Sequence, residues 1–243
     1  MHIRVIQYNI GKFNMGLPGG ISANVSEKIS NYSNFFATVN PDFVFLQEYV
    51  DYIDSAQQYK AKETIFDPLF QYSSYTEKEN IIFGKSSINN TAFSYLHTSG
   101  DNPAWCIYGT TTIKGKTVSI VSAVLNSSAP SGVDHQEQGI RALTKLTNQI
   151  LANSDYVIIG MDINSLSQSE VDVFNNFMAE KGYKSANWGK YGYKNTYNLS
   201  SSMYKAIDTV FVKGNMKIIN FDVPDVYADL SSDHFPIVVD III

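Results

Sequence analysis

Ser231-Ser232-Asp233-His234-Phe235-Pro236 runs directly into Ile237-Val238-Val239-Asp240-Ile241-Ile242-Ile243, and the rest of the sequence can be organised around this pair of segments. The apolar run is short and β-branched, which suits a buried strand and is too short for a membrane helix. An acid and an imidazole at its start would be held by a rigid element while facing a loop end that a ligand can reach. The same residues also read as a plain turn, since Ser, Asp and Pro are ordinary turn formers.

Working outward, the arrangement recurs. Asn9 follows the strand pattern Ile3-Arg4-Val5-Ile6-Gln7-Tyr8, and Glu48 closes Asp42-Phe43-Val44-Phe45-Leu46-Gln47. Asp162 and Asn164 follow Tyr156-Val157-Ile158-Ile159-Gly160. Asp and Asn end strands in many proteins, so each instance alone says little. Were these ends to converge, they would gather carboxylates, amides and one imidazole without a thiolate, a donor set for Mg²⁺ or Mn²⁺ rather than zinc.

Between these points the pattern alternates between strand and helix. Val25, Ile29, Tyr32, Phe36 and Val39 recur at helical spacing within residues 22–39, and Pro41 ends that segment. Strand signals follow over residues 71–76, 80–83, 92–97, 105–113 and 117–125, with Lys114-Gly115-Lys116 as a hairpin turn between the last two. Helical spacing returns over residues 133–151 and again over 169–179, where Val173, Phe174 and Phe177 are expected on the buried side. A loop rich in Tyr, Asn and Gly spans 188–202, and strands are expected over 206–212 and 216–223. Strands with occasional helices, mostly linked as hairpins, imply sheet-on-sheet packing covered by helices.

Composition narrows the class. The 243 residues are 44% hydrophobic, 13% aromatic and 17% charged, apolar enough for a packed core and too poor in charge for a disordered chain. A chain this long buries roughly 70% of its unfolded surface, and one domain over residues 1–243 is expected. A formal charge of −5 argues against the broad basic surface of most nucleic-acid binders. Acidity and a phosphate substrate become compatible when a divalent cation lies between them. The lone Cys106 can form neither an internal disulfide nor a CxxC zinc site and reads as a core strand residue. Met1 to Ile6 is strand-like and lacks the features of an export signal, which implies a cytoplasmic protein, or a secreted one if a leader has been removed.

These segments, in order, resemble the motifs of the endonuclease/exonuclease/phosphatase family, metal-dependent phosphoesterases that include DNase I-like nucleases. Ile6-Gln7-Tyr8-Asn9-Ile10 is similar to the family's opening W/Y-N motif, and Pro41-Asp42-Phe43-Val44-Phe45-Leu46-Gln47-Glu48 to P-D-[IV]-[IV]-x-L-Q-E. Gly160-Met161-Asp162-Ile163-Asn164 resembles G-D-x-N with one residue inserted, Ala206-Ile207-Asp208-Thr209-Val210-Phe211 resembles I-D-[YH]-[IV]-[FL], and residues 231–236 resemble the closing S-D-H-x-P.

The resemblance implies an α/β four-layer sandwich, two mixed and mainly antiparallel sheets face to face with helices outside. It also implies roles. Glu48 would be the principal ligand of Mg²⁺ or Mn²⁺, with Asn9 and Asp233 beside or behind the ion. Asp162 would activate the attacking water, Asn164 would hold the phosphate in its transition state, and Asp208 would pair with His234 to favour its charged form. The expected reaction is in-line hydrolysis of a phosphate ester, with nucleic acid among the substrates and a phosphodiesterase of nuclease type the leading reading. A phosphatase or phosphodiesterase for a sugar or lipid phosphate is the alternative activity.

One position departs from the family. Where many relatives carry a His or a Tyr that hydrogen-bonds the phosphate or the leaving group, this sequence has Val124, which can neither donate nor titrate. Asn126 is the candidate phosphate contact in its stead, with His135 as a second stand-in. Val124 also keeps open a different class of function, a chain with weakened catalysis that binds a phosphorylated ligand or a protein partner.

Overall fold

Two β-α-β units lie at the centre of the structure, a computed structural model that describes residues 1–13, 24–54, 57–97, 103–127, 134–165, 167–197, 206–225, 230 and 232–243. In the first, β1 (His2–Asn9) leads through α1 (Val25–Val39) to β2 (Phe43–Gln47), which lies parallel to it. α1 begins where the Asn24 side chain accepts the Glu27 amide and ends at Asn40, whose left-handed backbone returns its N–H to the Phe36 carbonyl. The register places Asn9 opposite Gln47, so Glu48 emerges one residue beyond Asn9.

The second unit repeats the plan. β7 (Lys116–Val124) leads through α2 (His135–Lys145) to a parallel β8 (Val157–Asp162), with Val124 opposite Asp162. These parallel pairs are what a hairpin-based expectation misses, because crossover through a helix is a long-range choice. The expected β6–β7 hairpin forms: β6 (Ala104–Ile113) joins β7 through Lys114 and Gly115, both at positive φ as a two-residue turn requires.

Around these units β3 (Tyr72–Ser73), β4 (Ile81–Gly84), β11 (Lys217–Asp222) and β12 (Ile237–Ile242) complete one six-stranded sheet, ordered β11-β12-β1-β2-β4-β3. The other is ordered β5-β6-β7-β8-β10-β9, with β5 (Asn89–His97), β9 (Lys184–Ser185) and β10 (Asp208–Lys213). Asp240, an acid inside the apolar terminal run, faces outward on β12 and pairs with Arg4 opposite it on β1 at 2.8 Å.

Three apolar clusters divide the molecule into the four expected layers. Tyr32 and Phe36 of α1 pack on Ile6, Tyr8 and Leu46 of the first sheet. Val5, Phe45, Ile120 and Val210 meet between the sheets. Leu143 of α2 and Phe174 of α3 (Gln168–Glu180) cover Val121 and Ile159 of the second. The sheets approach most closely at Gly160, where a Cβ would lie 2.5 Å from Phe45 Cβ and 2.8 Å from Gln7 Oε1.

Some expectations need correction. The fully buried line of α3 is Val171, Phe174 and Met178, spaced three and four residues apart, and Val173 and Phe177 flank it, packed against the same cluster but partly exposed. The strand expected over 71–76 is only Tyr72–Ser73, and Lys62–Phe66 forms an unforeseen helical turn that buries Ile65 and Phe66. The helix expected to reach 151 changes at Leu146 to a wider, π-helical turn. The expected loop at Gly16 to Gly20, the ends at Ser22 and Val133, the segment 198–205 and Ser231 lie outside the described residues.

Candidate active site

The strand ends do converge. At the exit of β1, Asn9 is buried, and its amide nitrogen donates to Glu48 Oε1 at 3.1 Å and to Asp162 Oδ2 at 2.9 Å. One amide thus ties an acid from the first sheet to an acid from the second. Its oxygen accepts from the Gly11 amide at 3.1 Å, which fixes the orientation.

Glu48 has a left-handed backbone (φ 50°), as do Lys12, Phe13 and Asn164 around it. Such conformations cost about 1–2 kcal/mol per non-glycine residue, and they cluster where function constrains the chain. Glu48 Oε2 is shut off from solvent and has no hydrogen-bond partner. A carboxylate oxygen left so is costly unless a cation takes it, and the surrounding carboxylates and amides suit a hard ion.

Deeper in, Asp208 Oδ2 lies 2.8 Å from His234 Nδ1, both side chains being buried. Burial alone would discharge the imidazole, but the charges of Asp208 and Asp162 outweigh it and raise His234 to about 10. The ring is therefore a cation with Nδ1 committed to Asp208. Burial first, and the Asp208 charge second, push the Asp162 carboxyl up to about 7. Candidate ligand atoms of Asp162, Asp208 and His234 all lie within 4.8 Å of one another, and this buried group could hold a metal ion only with the imidazole deprotonated. Asp233 is buried next to His234 and close enough for its charge to favour the imidazolium. Asn164 donates its backbone N–H to Asp162 Oδ1 and its amide to the Leu125 carbonyl, both at 2.9 Å.

Beneath lies a polar floor that the sequence motifs contain but that no sequence argument assigned a role. Gln7 and Gln47 exchange amide hydrogen bonds at 2.6 and 3.0 Å; Gln7 also donates to Asp208 Oδ1 at 3.2 Å and Gln47 to Ser122 Oγ at 2.8 Å. Ser232 donates to the Asn9 carbonyl at 2.8 Å and accepts the His234 amide at 3.1 Å, fastening the closing motif to β1. Thr196 Oγ1 accepts the amides of Ile207 and Asp208. Tyr197, from the Tyr-rich loop, stands edge-on to His234 with ring centroids 4.9 Å apart. The available signal was an amide inside an otherwise apolar strand, Gln7 in β1 and Gln47 in β2.

A cleft of about 250 Å³ opens beside Glu48, lined among others by Lys12, Trp105, Val124, Asn126 and Asn164. Val124, nearly buried, forms apolar wall. The Asn126 amide already donates to Gln138 Oε1 at 2.6 Å. His135 lies behind it, 2.9 Å from the Asn126 carbonyl, and does not line the cleft. Cys106 is buried in β6, its thiol pushed up to about 12 by burial, as a core residue should be. Among the described residues no helix is long and apolar enough to cross a membrane.

No family model and no curated protein matches the sequence. Solved structures match it along its full length. TDP2 of D. rerio, complexed with single strand DNA product, has a TM-score of 0.73 at 15% identity, covering 100% of this chain and 99% of that one. TDP2 from C. elegans has a TM-score of 0.72 at 19% identity, covering 100% and 76%. An endonuclease/exonuclease/phosphatase from Bacteroides vulgatus has 0.73 at 13%, covering 100% and 99%. At such identities the likeness is one of fold, and the chain has the DNase I-like fold of the endonuclease/exonuclease/phosphatase proteins.

Proposed function

We propose that this protein is a phosphoesterase dependent on Mg²⁺ or Mn²⁺, a phosphodiesterase of nuclease type whose substrate class includes nucleic acid. The observation that carries this reading is Asn9, bridging Glu48 and Asp162 from different sheets at 3.1 and 2.9 Å. Gathering acids at one buried point is costly without a cation or cationic partner. The fold shared with a TDP2 complexed with single strand DNA product supports the substrate class.

Glu48 would hold the ion, with Asn9 and Asp233 beside it. Bound there, the ion would neutralise phosphate charge and polarise the phosphoryl oxygen. Asp162 would take a proton from the attacking water, and its value near 7 suits a general base at neutral pH. Asn164 retains an amide proton for a phosphoryl oxygen. His234, kept charged by Asp208, would direct Nε2 to the charge that grows on the phosphoryl group.

Initial rates on bis(p-nitrophenyl) phosphate and plasmid DNA, with Mg²⁺, Mn²⁺ or EDTA, test this in wild type, Glu48→Ala and His234→Ala. Metal-dependent hydrolysis that both substitutions remove is expected. A folded wild type inert on both esters with either metal overturns it. That outcome would favour the second reading, to which Val124 points: binding of a phosphorylated ligand or protein partner without hydrolysis.

A further inference from the structure

The cleft beside Glu48 has an apolar wall at Val124, the position where the family resemblance implies a hydrogen-bond donor. Val124 and Trp105 face each other in register across β7 and β6 and both line it. Among the described lining residues one cation is present, Lys12. Its position is built rather than incidental. Gly11, Lys12 and Phe13 form a single left-handed turn with φ of 58°, 53° and 56°. Phe13 is fully buried against Tyr32 and Tyr49 and anchors that turn. The Lys12 amide donates to the Glu48 carbonyl at 2.8 Å, tying the turn to the residue that would hold the ion. The ammonium lies 2.9 Å from Glu79 Oε1, and Glu79 lines the same cleft. An ammonium has three protons, so the contact with Glu79 leaves two for a substrate.

We infer that Lys12 donates to the leaving oxygen of the phosphodiester, in the place that Val124 leaves without a donor. This rests on the phosphoesterase reading. As the water oxygen bonds to phosphorus, one water proton passes to Asp162. The P–O bond to the leaving group breaks, and its electron pair goes to the leaving oxygen. That oxygen takes a proton from the Lys12 ammonium, and the amine is reprotonated from solvent. Glu79 positions the ammonium and does not touch the ester.

The dependence on leaving group tests this. An alkoxide needs a proton as it departs, whereas a nitrophenolate is a much weaker base and leaves without help. Rates with Mn²⁺ on a dithymidine phosphodiester and on bis(p-nitrophenyl) phosphate are compared for wild type, Lys12→Ala, Lys12→Arg, Glu79→Ala and Lys12→Ala combined with Val124→His. In Lys12→Ala, kcat on the dinucleotide should fall about 100-fold with little change in KM, the loss expected for one removed donor. On the nitrophenyl ester the fall should be under about 10-fold, and Tm should stay near wild type. Lys12→Arg keeps the charge but does not release a proton and should recover little of the dinucleotide rate, whereas Val124→His in the Lys12→Ala background should recover about 10-fold.

Equal losses on both esters, a larger loss in Glu79→Ala than in Lys12→Ala, full recovery in Lys12→Arg, or no rescue by histidine would overturn the inference while leaving the phosphoesterase reading intact. A wild type that cleaves only the nitrophenyl ester would do the same. Wild type inert on both esters would overturn the reading and the inference together.

Discussion

β1 and β2, joined across α1, and β7 and β8, joined across α2, are two copies of one plan, yet they deliver different chemistry to the same point. The first pair ends in Asn9 and Glu48, an amide and an acid. The second ends in Val124 and Asp162, an apolar side chain and an acid. Two parallel strands end side by side in either unit, so the fold presents four adjacent positions, and it does not dictate what fills them. Three are polar and held in one hydrogen-bonded cluster by Asn9. The fourth forms part of a cleft wall, and the one cation among the described lining residues of that cleft, Lys12, stands outside both strand pairs, on the turn after β1.

Breaking either acid should have the largest effect. Glu48→Ala on the first pair and Asp162→Asn on the second are each expected to lower kcat by about 1,000-fold or more, measured as Mg²⁺-dependent diester hydrolysis. If one acid proved dispensable, the two pairs would not act on a common centre.

Asp208→Asn comes next, with an expected fall of about 10- to 100-fold, because it removes the partner that orients and charges His234. The same pair has a signature in stability. His234 titrates near 6.5 when unfolded and is raised to about 10 in the fold. A raised value means that the stabilisation is complete below pH of about 6.5 and fades as pH climbs toward 10. In EDTA, the wild-type Tm should fall across that window, and Asp208→Asn should lose much of the slope. A slope unchanged by the substitution would mean that the imidazole owes its charge to other neighbours.

Gly160→Ala probes how closely the two units must approach. A methyl group there meets Phe45 and Gln7, and the expected loss is about 1–3 kcal/mol by chemical denaturation. Activity should fall with it, since Gln7 supports Asp208. Unchanged stability would show that the sheets have room to part.

The smallest effect is expected where the two pairs differ most. Val124→His in otherwise wild-type protein should change the dinucleotide rate by less than about 10-fold, because by our inference Lys12 already serves the leaving oxygen. A gain of about 100-fold would instead mark the valine as an uncompensated loss.

Much of the site was legible because its signals are local. Asn9 and Asp162 end strands and Glu48 follows one directly, each after an apolar pattern written in the preceding residues, and Asp233-His234 stands just before another. The helix boundary before Pro41 and the turn at Gly115 were readable for the same reason. Lys12 carried no such signal. It follows Gly11 and reads as an ordinary loop cation until Phe13 and Glu48 are seen to hold it.

The sequence by itself determined the long strands that lead to the candidate site and which polar groups stand at their ends, since propensity and alternation act over a few neighbours. Only the tertiary structure decided that β1 pairs with β2 and β7 with β8 in parallel, that Val124 faces Asp162, and that Asn9 bridges acids 39 and 153 residues away. Those contacts depend on how apolar faces close over one another across the whole chain, and the buried amides of Gln7 and Gln47 are satisfied only once both sheets have met.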